Sequence, residues 1–186
     1  MKKIFDILGS LLILIIIFFP TIILFIVIKL SSNETVLFWS ERVGVNNKIY
    51  LMPKFRTMIK ATPQKATHLL DDPEKYITKY GSILRRFSID EIPQIYSILK
   101  GDMSLVGPRP ALFNQYDLIK LRTEKNVSHL LPGLTGWAQV NGRDGLSIEE
   151  KVNLDVEYAK RKSFLFDIFI IFLTVKKVIY RDKVSH

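Results

Sequence analysis

The chain has 186 residues, no cysteine and a formal net charge of +9, which suits one domain or one domain with a membrane anchor. The lack of cysteine excludes a disulfide framework and a thiolate metal site, and His68, His129 and His186 stand too far apart for a metal-ligand pattern. Hydrophobic residues make up 48% of the chain and are concentrated in residues 4–28 and 164–179. A basic chain of this kind favours anionic partners such as lipid head groups, phosphates or nucleic acid.

The first predicted element is an apolar helix near the N-terminus. Residues 11–28 are apolar except at Pro20 and Thr21, and such a helix can just cross a hydrocarbon core of about 30 Å. It is apolar on every face, which argues against a soluble core helix, and no signal-peptide cleavage site follows it. Pro20 predicts a kink or a break, and lysines at both ends indicate no preferred orientation. A kinked single span and a re-entrant hairpin in one leaflet are therefore equally open.

The polar middle, residues 33–163, predicts a small α+β domain with more helix than strand. A β-hairpin is predicted from residues 36–40 and 48–52, with residues 54–58 continuing as strand or turn. Residues 61–80 are expected to form helix and loop. Further helices are predicted for residues 89–99, 111–122 and 149–160.

The second apolar segment, residues 164–179, carries four phenylalanines but is short for a membrane span. Asp167 interrupts its start, and Lys176 and Lys177 follow its apolar part. An interfacial amphipathic helix with a tail, residues 164–186, is the favoured interpretation. A core helix of the globular domain is the alternative.

The adjacent carboxylates Asp90 and Glu91 are the strongest candidates for chemistry. One interpretation is structural, because Ser88 and Glu91 have the spacing of a capping box at a helix N-terminus. The other is catalytic, because phosphate also binds at helix N-termini, and the dipole with Arg85 would keep Asp90 ionised. An ionised carboxylate can attack phosphorus, and a neighbouring carboxylate can hold Mg²⁺ together with substrate phosphates.

Two loops offer further ligand-binding groups. Pro108 and Pro110 stiffen the backbone around Arg109, which either presents its guanidinium to phosphate or belongs to a rigid surface turn. In residues 132–143, Asn141-Gly142 favours a hairpin turn, yet polar and aromatic residues alternate there in a way that suits a nucleotide or sugar pocket. The alternating residues are Thr135, Trp137, Gln139, Asn141 and Arg143.

Taken together, these stretches resemble the bacterial sugar transferase family, the small monotopic phosphoglycosyl transferases. The motifs that carry the resemblance occur in the family's order and cover nearly the whole chain. They are Lys3-x-x-Asp6, Arg42-x-Gly44, KFRTM at residues 54–58, SIDEIPQ at 88–94, LKGDMS at 99–104, VGPRP at 106–110 and PGLTGWAQVNGR at 132–143.

The resemblance implies a re-entrant helix–break–helix over residues 1–32, a cytoplasmic catalytic domain over residues 33–163, and attachment to one leaflet at the cytoplasmic face of the bacterial cell membrane. It implies that Asp90 attacks the β-phosphorus of a UDP-sugar and releases UMP, that undecaprenyl phosphate then takes the sugar phosphate, and that Glu91 binds Mg²⁺. It also implies substrate contacts from Lys54, Arg56, Arg85, Pro108, Arg109, Thr135, Gln139, Asn141 and Arg143.

The sequence departs from the family pattern at three positions. Phe19 stands where a serine often precedes the proline of the helix break, Ser40 where glutamine is frequent, and Asn47 where glycine is frequent. Residues 67–70, 110–116 and 141–144 resemble members that handle N-acetylated, often 6-deoxy, amino sugars.

The net charge also suggests an alternative, a non-enzymatic anchored domain that binds anionic lipid or nucleic acid. Nucleic acid is the less favoured partner, because most aromatic residues lie in the two apolar segments and the basic residues are scattered. Formation of a homo-oligomer is left open by the sequence.

Overall fold

The fold is known from a computed structural model that describes residues 2–31, 35–63, 72–142 and 145–179. In these ranges the helices are α1 (Lys2–Ser31), α2 (Gly81–Arg86), α3 (Ile95–Lys100), α4 (Tyr116–Glu124), α5 (Trp137–Asn141), α6 (Ile148–Arg161) and α7 (Phe164–Ile179). The strands are β1 (Leu37–Val43), β2 (Ile49–Phe55), β3 (Ser104–Val106) and β4 (Gly133–Thr135), and short 3-10 helices cover Val45–Asn47, Pro73–Tyr76 and Ile89–Gln94. The predicted class, mostly helical with a small β-hairpin, is confirmed.

Strands β1 and β2 form the predicted antiparallel hairpin, with Leu37 opposite Phe55 and Val43 opposite Ile49. Each strand extends three residues beyond its predicted end. In the connection, Asn46 and Asn47 have φ angles of 52° and 61°. Asparagine tolerates this left-handed region better than most residues do, so it can replace the frequent glycine.

The second sheet consists of the two short parallel strands β3 and β4. Val106 of β3 is paired with Thr135 of β4. The main core lies where the hairpin, α3, this pair, α6 and α7 meet. Its most deeply buried members include Met52, Met103, Val106, Tyr158 and Ile170.

Helix α6 begins at a capping box, whereas the capping box considered for Ser88 and Glu91 does not form. Ser147 Oγ accepts a hydrogen bond from the Glu150 amide, and Glu150 Oε2 accepts one from the Ser147 amide at 2.7 Å. Ser88, by contrast, has a left-handed backbone and no side-chain capping bond. Both serines precede a glutamate by three residues, but only Ser147 has the extended backbone that a capping residue requires.

Two predicted helices differ from the observed ones. The predicted helix over residues 89–99 is a 3-10 helix followed by α3 from Ile95. The predicted helix over residues 111–122 begins only at Tyr116. Before it, the Ala111 carbonyl accepts from the Val43 amide, Leu112 forms a bridge with Arg42, and a turn follows in which the Gln115 amide donates to the Leu112 carbonyl at 3.1 Å. Contact with the hairpin therefore outweighs local helix propensity there.

Helix α1 is long and apolar enough to cross a membrane by length and composition. It continues through Pro20, so the expected separation into two helices is not seen among residues 2–31. One stripe of α1 contacts the domain near both ends. Asp6 accepts from Ser104 Oγ at 2.9 Å, and Ile28 is buried with Val36 and Phe55. Most large side chains between these ends are exposed.

Helix α7 combines features of a core helix and of an interfacial amphipathic helix, the two interpretations of its sequence. One side is buried, with Phe166, Asp167 and Ile170 facing the domain. The other side exposes large apolar side chains, namely Phe164, Leu165, Ile168, Phe169, Phe172, Val175 and Val178. The helix is thus a packed element of the fold whose remaining surface is apolar.

Asp167, which looked like an interruption in the sequence, joins α7 to the start of α1. Its Oδ2 lies 2.5 Å from Nζ of Lys2, and its Oδ1 lies 2.8 Å from the Tyr158 hydroxyl. Lys2 and Tyr158 also lie 3.2 and 3.1 Å from the carbonyl oxygen of Val106. This polar cluster fixes the backbone immediately before Gly107.

Candidate active site

The two adjacent carboxylates lie in the 3-10 helix Ile89–Gln94, which packs against β2. Asp90 is only 8% exposed, and its Oδ2 lies 3.9 Å from Nζ of Lys54. Glu91 Oε1 lies 3.2 Å from the same amine and 3.3 Å from Nη2 of Arg109. The fold therefore gathers predicted site residues from three separate segments of the chain.

The backbone around the pair is set by a turn and by two apolar contacts. Ser88, at φ 54° and ψ 23°, reverses the chain just after α2. Ile89 and Ile92 pack against the buried cluster that contains Phe55, which leaves the carboxylates facing the hairpin. Pro93 lacks an amide hydrogen and is tolerated here because α3 begins only two residues later.

A further arginine, Arg42, belongs to this charged cluster, although its sequence motif indicated no role for it. Its Nη1 donates to the carbonyl of Pro110 at 3.1 Å and its Nε donates to Ser40 Oγ at 3.0 Å. Burial and the neighbouring Arg109 lower the pKa of Arg42 to about 10. Burial also lowers the pKa of Lys54, although Glu91 opposes this. The cluster thus concentrates positive charge, which suits a diphosphate.

Burial raises the pKa of Asp90 above its usual value, and the charge of Lys54 opposes this only in part. Glu91 raises the same pKa further, while Arg85 and Arg109 lower it. Arg85 and Arg109 thus act in the expected direction, favouring the ionised form, but desolvation is the largest effect on this pKa. The carboxylate is more basic than usual, and a more basic oxygen is the better nucleophile once it is ionised.

We expect Lys54→Met to move the acidic limb of the activity profile to higher pH. Lys54 lowers the pKa of Asp90, so its removal raises that pKa and reduces the ionised fraction at any given acidic pH. The measurement is the turnover number across a pH series for wild type, Lys54→Met and the exposed control Lys125→Met. A limb that stays in place or moves to lower pH would contradict this electrostatic coupling.

Arg109 is held by its backbone as well as by Glu91. Its carbonyl oxygen accepts from Nη1 of Arg122 at 2.8 Å, and Arg122 is itself paired with the buried Asp155 at 2.7 Å. The carbonyl of Pro108 accepts from the amide of Gly133 at 2.8 Å. The loop between β3 and α4 is therefore anchored on both sides of Arg109, which favours a fixed guanidinium position.

Close backbone packing holds the same loop against β4. A Cβ atom on Gly133 would lie 2.1 Å from the amide nitrogen of Gly107, and one on Gly136 would lie 2.0 Å from the Gly107 carbonyl oxygen. Neither position leaves room for a side chain, so the glycines of the PGLTG stretch are explained by packing.

Comparison with known proteins covers almost the whole chain. Residues 1–181 match the family described as bacterial sugar transferase. The chain belongs to the bacterial sugar transferase family. It is therefore a transferase, and the non-enzymatic alternative drawn from its charge is wrong.

Three relatives show the range of this family. The chain is 39% identical to the protein named "Uncharacterized sugar transferase EpsL" of Bacillus subtilis, with 100% of this chain and 90% of that protein covered. It is 38% identical to the UDP-glucose:undecaprenyl-phosphate glucose-1-phosphate transferase of Escherichia coli, over 95% of this chain and 40% of that one. It is 34% identical to the UDP-N-acetylgalactosamine-undecaprenyl-phosphate N-acetylgalactosaminephosphotransferase of Aeromonas hydrophila, over 83% and 38%.

In this sugar transferase, the residues predicted to alternate along a ligand loop do not form a hairpin. Trp137 to Asn141 is the short helix α5. Thr135 Oγ1 lies 2.7 Å from Thr174 Oγ1 of α7, and Gln139 Nε2 donates to the Leu134 carbonyl at 3.2 Å. Asn141 Nδ2 donates to the Trp137 carbonyl at 2.8 Å. These contacts join β4 and α5 to α7, and none of them involves Asp90 or Glu91.

Of the remaining predicted substrate residues of the transferase, Arg56 is held by the start of the hairpin. Arg56 donates to the carbonyl and hydroxyl oxygens of Thr35 at 2.9 and 2.8 Å, and its guanidinium lies 5.6 Å from the ring centre of Phe38. Arg143 lies outside the described residues, as do residues 67–70. Within the described ranges, no group of three or more His, Cys, Asp or Glu residues could hold a metal ion.

Proposed function

We propose that this transferase moves a sugar 1-phosphate from a UDP-sugar to undecaprenyl phosphate and releases UMP. The observation that carries the proposal is the buried Asp90 beside Glu91, with Lys54 and Arg109 in contact with the pair. The names of the Escherichia coli and Aeromonas hydrophila relatives, each of which this chain spans by about two fifths, support the donor and acceptor classes.

In the first proposed step, a carboxylate oxygen of Asp90 attacks the β-phosphorus of the UDP-sugar. The bond from that phosphorus to the bridging oxygen breaks, and UMP leaves with the electron pair. In the second step, a phosphate oxygen of undecaprenyl phosphate attacks the same phosphorus. The bond to Asp90 then breaks, which restores the carboxylate and yields a polyprenyl diphosphate sugar.

Glu91 is proposed to hold Mg²⁺. The donor set fits by its chemistry, because Mg²⁺ is commonly bound by one or two carboxylates together with substrate phosphates. The ion would supply positive charge at the diphosphate. Lys54 and Arg109 both contact Glu91 Oε1, and we propose that they turn to phosphate oxygens when the substrate binds.

We propose that α1 stays in one leaflet at the cytoplasmic face, with α7 at the same interface. A helix of 30 residues is about 45 Å long, and both of its ends contact one polar domain. A crossing helix would place those ends on opposite sides. Because the chain has no cysteine, single cysteines at Lys3 and Ser32 can be labelled from each side. Labelling from opposite sides would exclude the one-leaflet arrangement.

The function is tested with the purified protein in nanodiscs, Mg²⁺, undecaprenyl phosphate and a panel of UDP-sugars. We expect UMP release with one class of UDP-sugar. We propose that this class is the N-acetylated amino sugars, including their 6-deoxy forms. Without the acceptor, mass spectrometry of the intact protein should detect a phosphosugar adduct. Release of UDP in place of UMP would mean that the sugar moves without its phosphate, and the proposal would be wrong.

A further inference from the structure

A cleft beside the carboxylate pair combines apolar walls with two cations. It has a volume of about 600 Å³ and lies between the C-terminal end of α1 and the start of β1. Its walls include Phe25, Lys29, Leu37, Phe38, Trp39 and Arg56. We call these residues the α1–β1 cleft.

The apolar part of the α1–β1 cleft is supported by packed residues. Ile28 and Val36 are buried and belong to the cluster below it. Phe25 and Trp39 are each 46% exposed, and Trp39 makes an edge contact with Tyr96 of α3. These half-exposed aromatic side chains lie beside buried apolar residues. Such a surface is suited to an apolar ligand.

The polar part of the cleft is positive. Arg56 is fixed by two hydrogen bonds to Thr35 and by the ring of Phe38. Lys29 lies in the last turn of α1 and is exposed. Among the described residues that line the cleft, Lys29 and Arg56 are the ones that carry a charge. The charge therefore complements an anionic head group attached to an apolar chain.

The cleft also lies next to the carboxylate pair. Phe38 is directly opposite Lys54 in the hairpin, and Lys54 contacts both Asp90 and Glu91. Arg56 continues the ladder, since its amide donates to the Val36 carbonyl. It is two residues from Lys54, which is about 7 Å along an extended chain and on the same face.

We propose that the α1–β1 cleft binds the polyprenyl phosphate acceptor, with its phosphate at Lys29 and Arg56 and its first isoprene units against Phe25 and Phe38. This inference rests on the function proposed above. The outward surface of α1 next to the cleft is apolar, with Ile22 and Ile26 exposed, so an isoprene chain can pass from lipid into the cleft. A nucleotide sugar has no apolar chain to match these walls.

The test separates the two half-reactions in nanodiscs of phosphatidylcholine. Lys29→Glu and Arg56→Gln are compared with Lys177→Glu, an exposed lysine of α7, and with Arg86→Gln, an exposed arginine over the ring of Phe87. Exchange of labelled UMP into the UDP-sugar needs no acceptor and should stay at the wild-type rate in all four variants. The KM for undecaprenyl phosphate should rise about tenfold or more in the two cleft variants only.

Several outcomes would overturn the assignment. An unchanged acceptor KM in both cleft variants would show that the acceptor binds elsewhere. If the rate of UMP exchange in the cleft variants fell by the same factor as the KM for undecaprenyl phosphate rose, the cleft would be assigned to the nucleotide sugar. An effect that appears only when the nanodiscs contain phosphatidylglycerol would assign it to bulk anionic lipid. Absence of exchange in the wild type would instead contradict the proposed function, so the two failures are distinguishable.

Phe25→Ala gives a second measurement that does not depend on charge. Phe25 is half-exposed and its removal leaves the buried cluster below intact. We expect a rise of several-fold in the KM for undecaprenyl phosphate and a smaller change for an acceptor with a single isoprene unit, because the short chain reaches less of the wall. Equal changes for both acceptors would contradict the placement of the chain.

Discussion

Asp90→Asn is expected to abolish sugar-phosphate transfer while the protein remains folded. An amide cannot form the proposed bond to phosphorus, and loss of a nucleophile commonly reduces turnover by about four orders of magnitude or more. Stability should not fall, because burial disfavours the ionised form of Asp90 and raises its pKa. Replacing a buried charge with a neutral side chain of the same shape removes that unfavourable desolvation.

The measurements for Asp90→Asn are UMP release, the phosphosugar adduct and the thermal midpoint. Asp117→Asn is the matched control, since Asp117 is an exposed acid in the first turn of α4. The control should keep full activity. Near-normal activity of Asp90→Asn would remove Asp90 as the nucleophile, whereas a large fall in Tm would mean that its role is partly structural.

Gly133→Ala is expected to have the largest effect on stability. The added Cβ would lie 2.1 Å from the Gly107 amide nitrogen and 2.3 Å from the Thr135 carbonyl oxygen. Both are backbone atoms, so β3 and β4 would have to separate. We expect a loss of about 3 kcal/mol or more, equivalent to a fall of roughly 6–12 °C in Tm for a chain of this size. Activity should fall as well, because this packing holds the Arg109 loop.

Gly145→Ala is the control for Gly133→Ala. A Cβ on Gly145 meets no atom within 4 Å, so its stability should change by no more than about 0.5 kcal/mol. Thermal unfolding of both variants in the same nanodiscs is the measurement. A Gly133→Ala protein as stable as Gly145→Ala would show that the two backbone segments can separate at little cost.

The candidate site was predictable in its parts but not in its electrostatics. Asp90, Glu91 and Arg109 stand out in the sequence because carboxylates, arginine and proline occur in unusual local patterns. Their shared contact with Lys54 depends on strand β2, which lies more than 30 residues earlier in the chain. The direction of the Asp90 pKa also depends on burial, which no local pattern reports.

Predictions from local sequence patterns were wrong where one pattern is compatible with two different local structures. Ser88 and Ser147 have the same spacing to a glutamate, and only the backbone conformation distinguishes them. Asn141-Gly142 is typical of a hairpin turn, yet here it ends helix α5, with Gly142 just after the last helical residue. Residues 111 and 112 are not helical because the hairpin supplies their hydrogen-bond partners.

The sequence by itself determined the apolar helix α1, the hairpin, helix α6 and the family, because hydrophobic periodicity, turn residues and ordered motifs are local properties of the chain. Only the tertiary structure decided that Asp90 is buried opposite Lys54, that Asp167 binds Lys2 and Tyr158, and that Arg56 faces the α1–β1 cleft. These are contacts between distant segments. Their energies depend on burial and on the distance between charges, which exist only once the chain has folded.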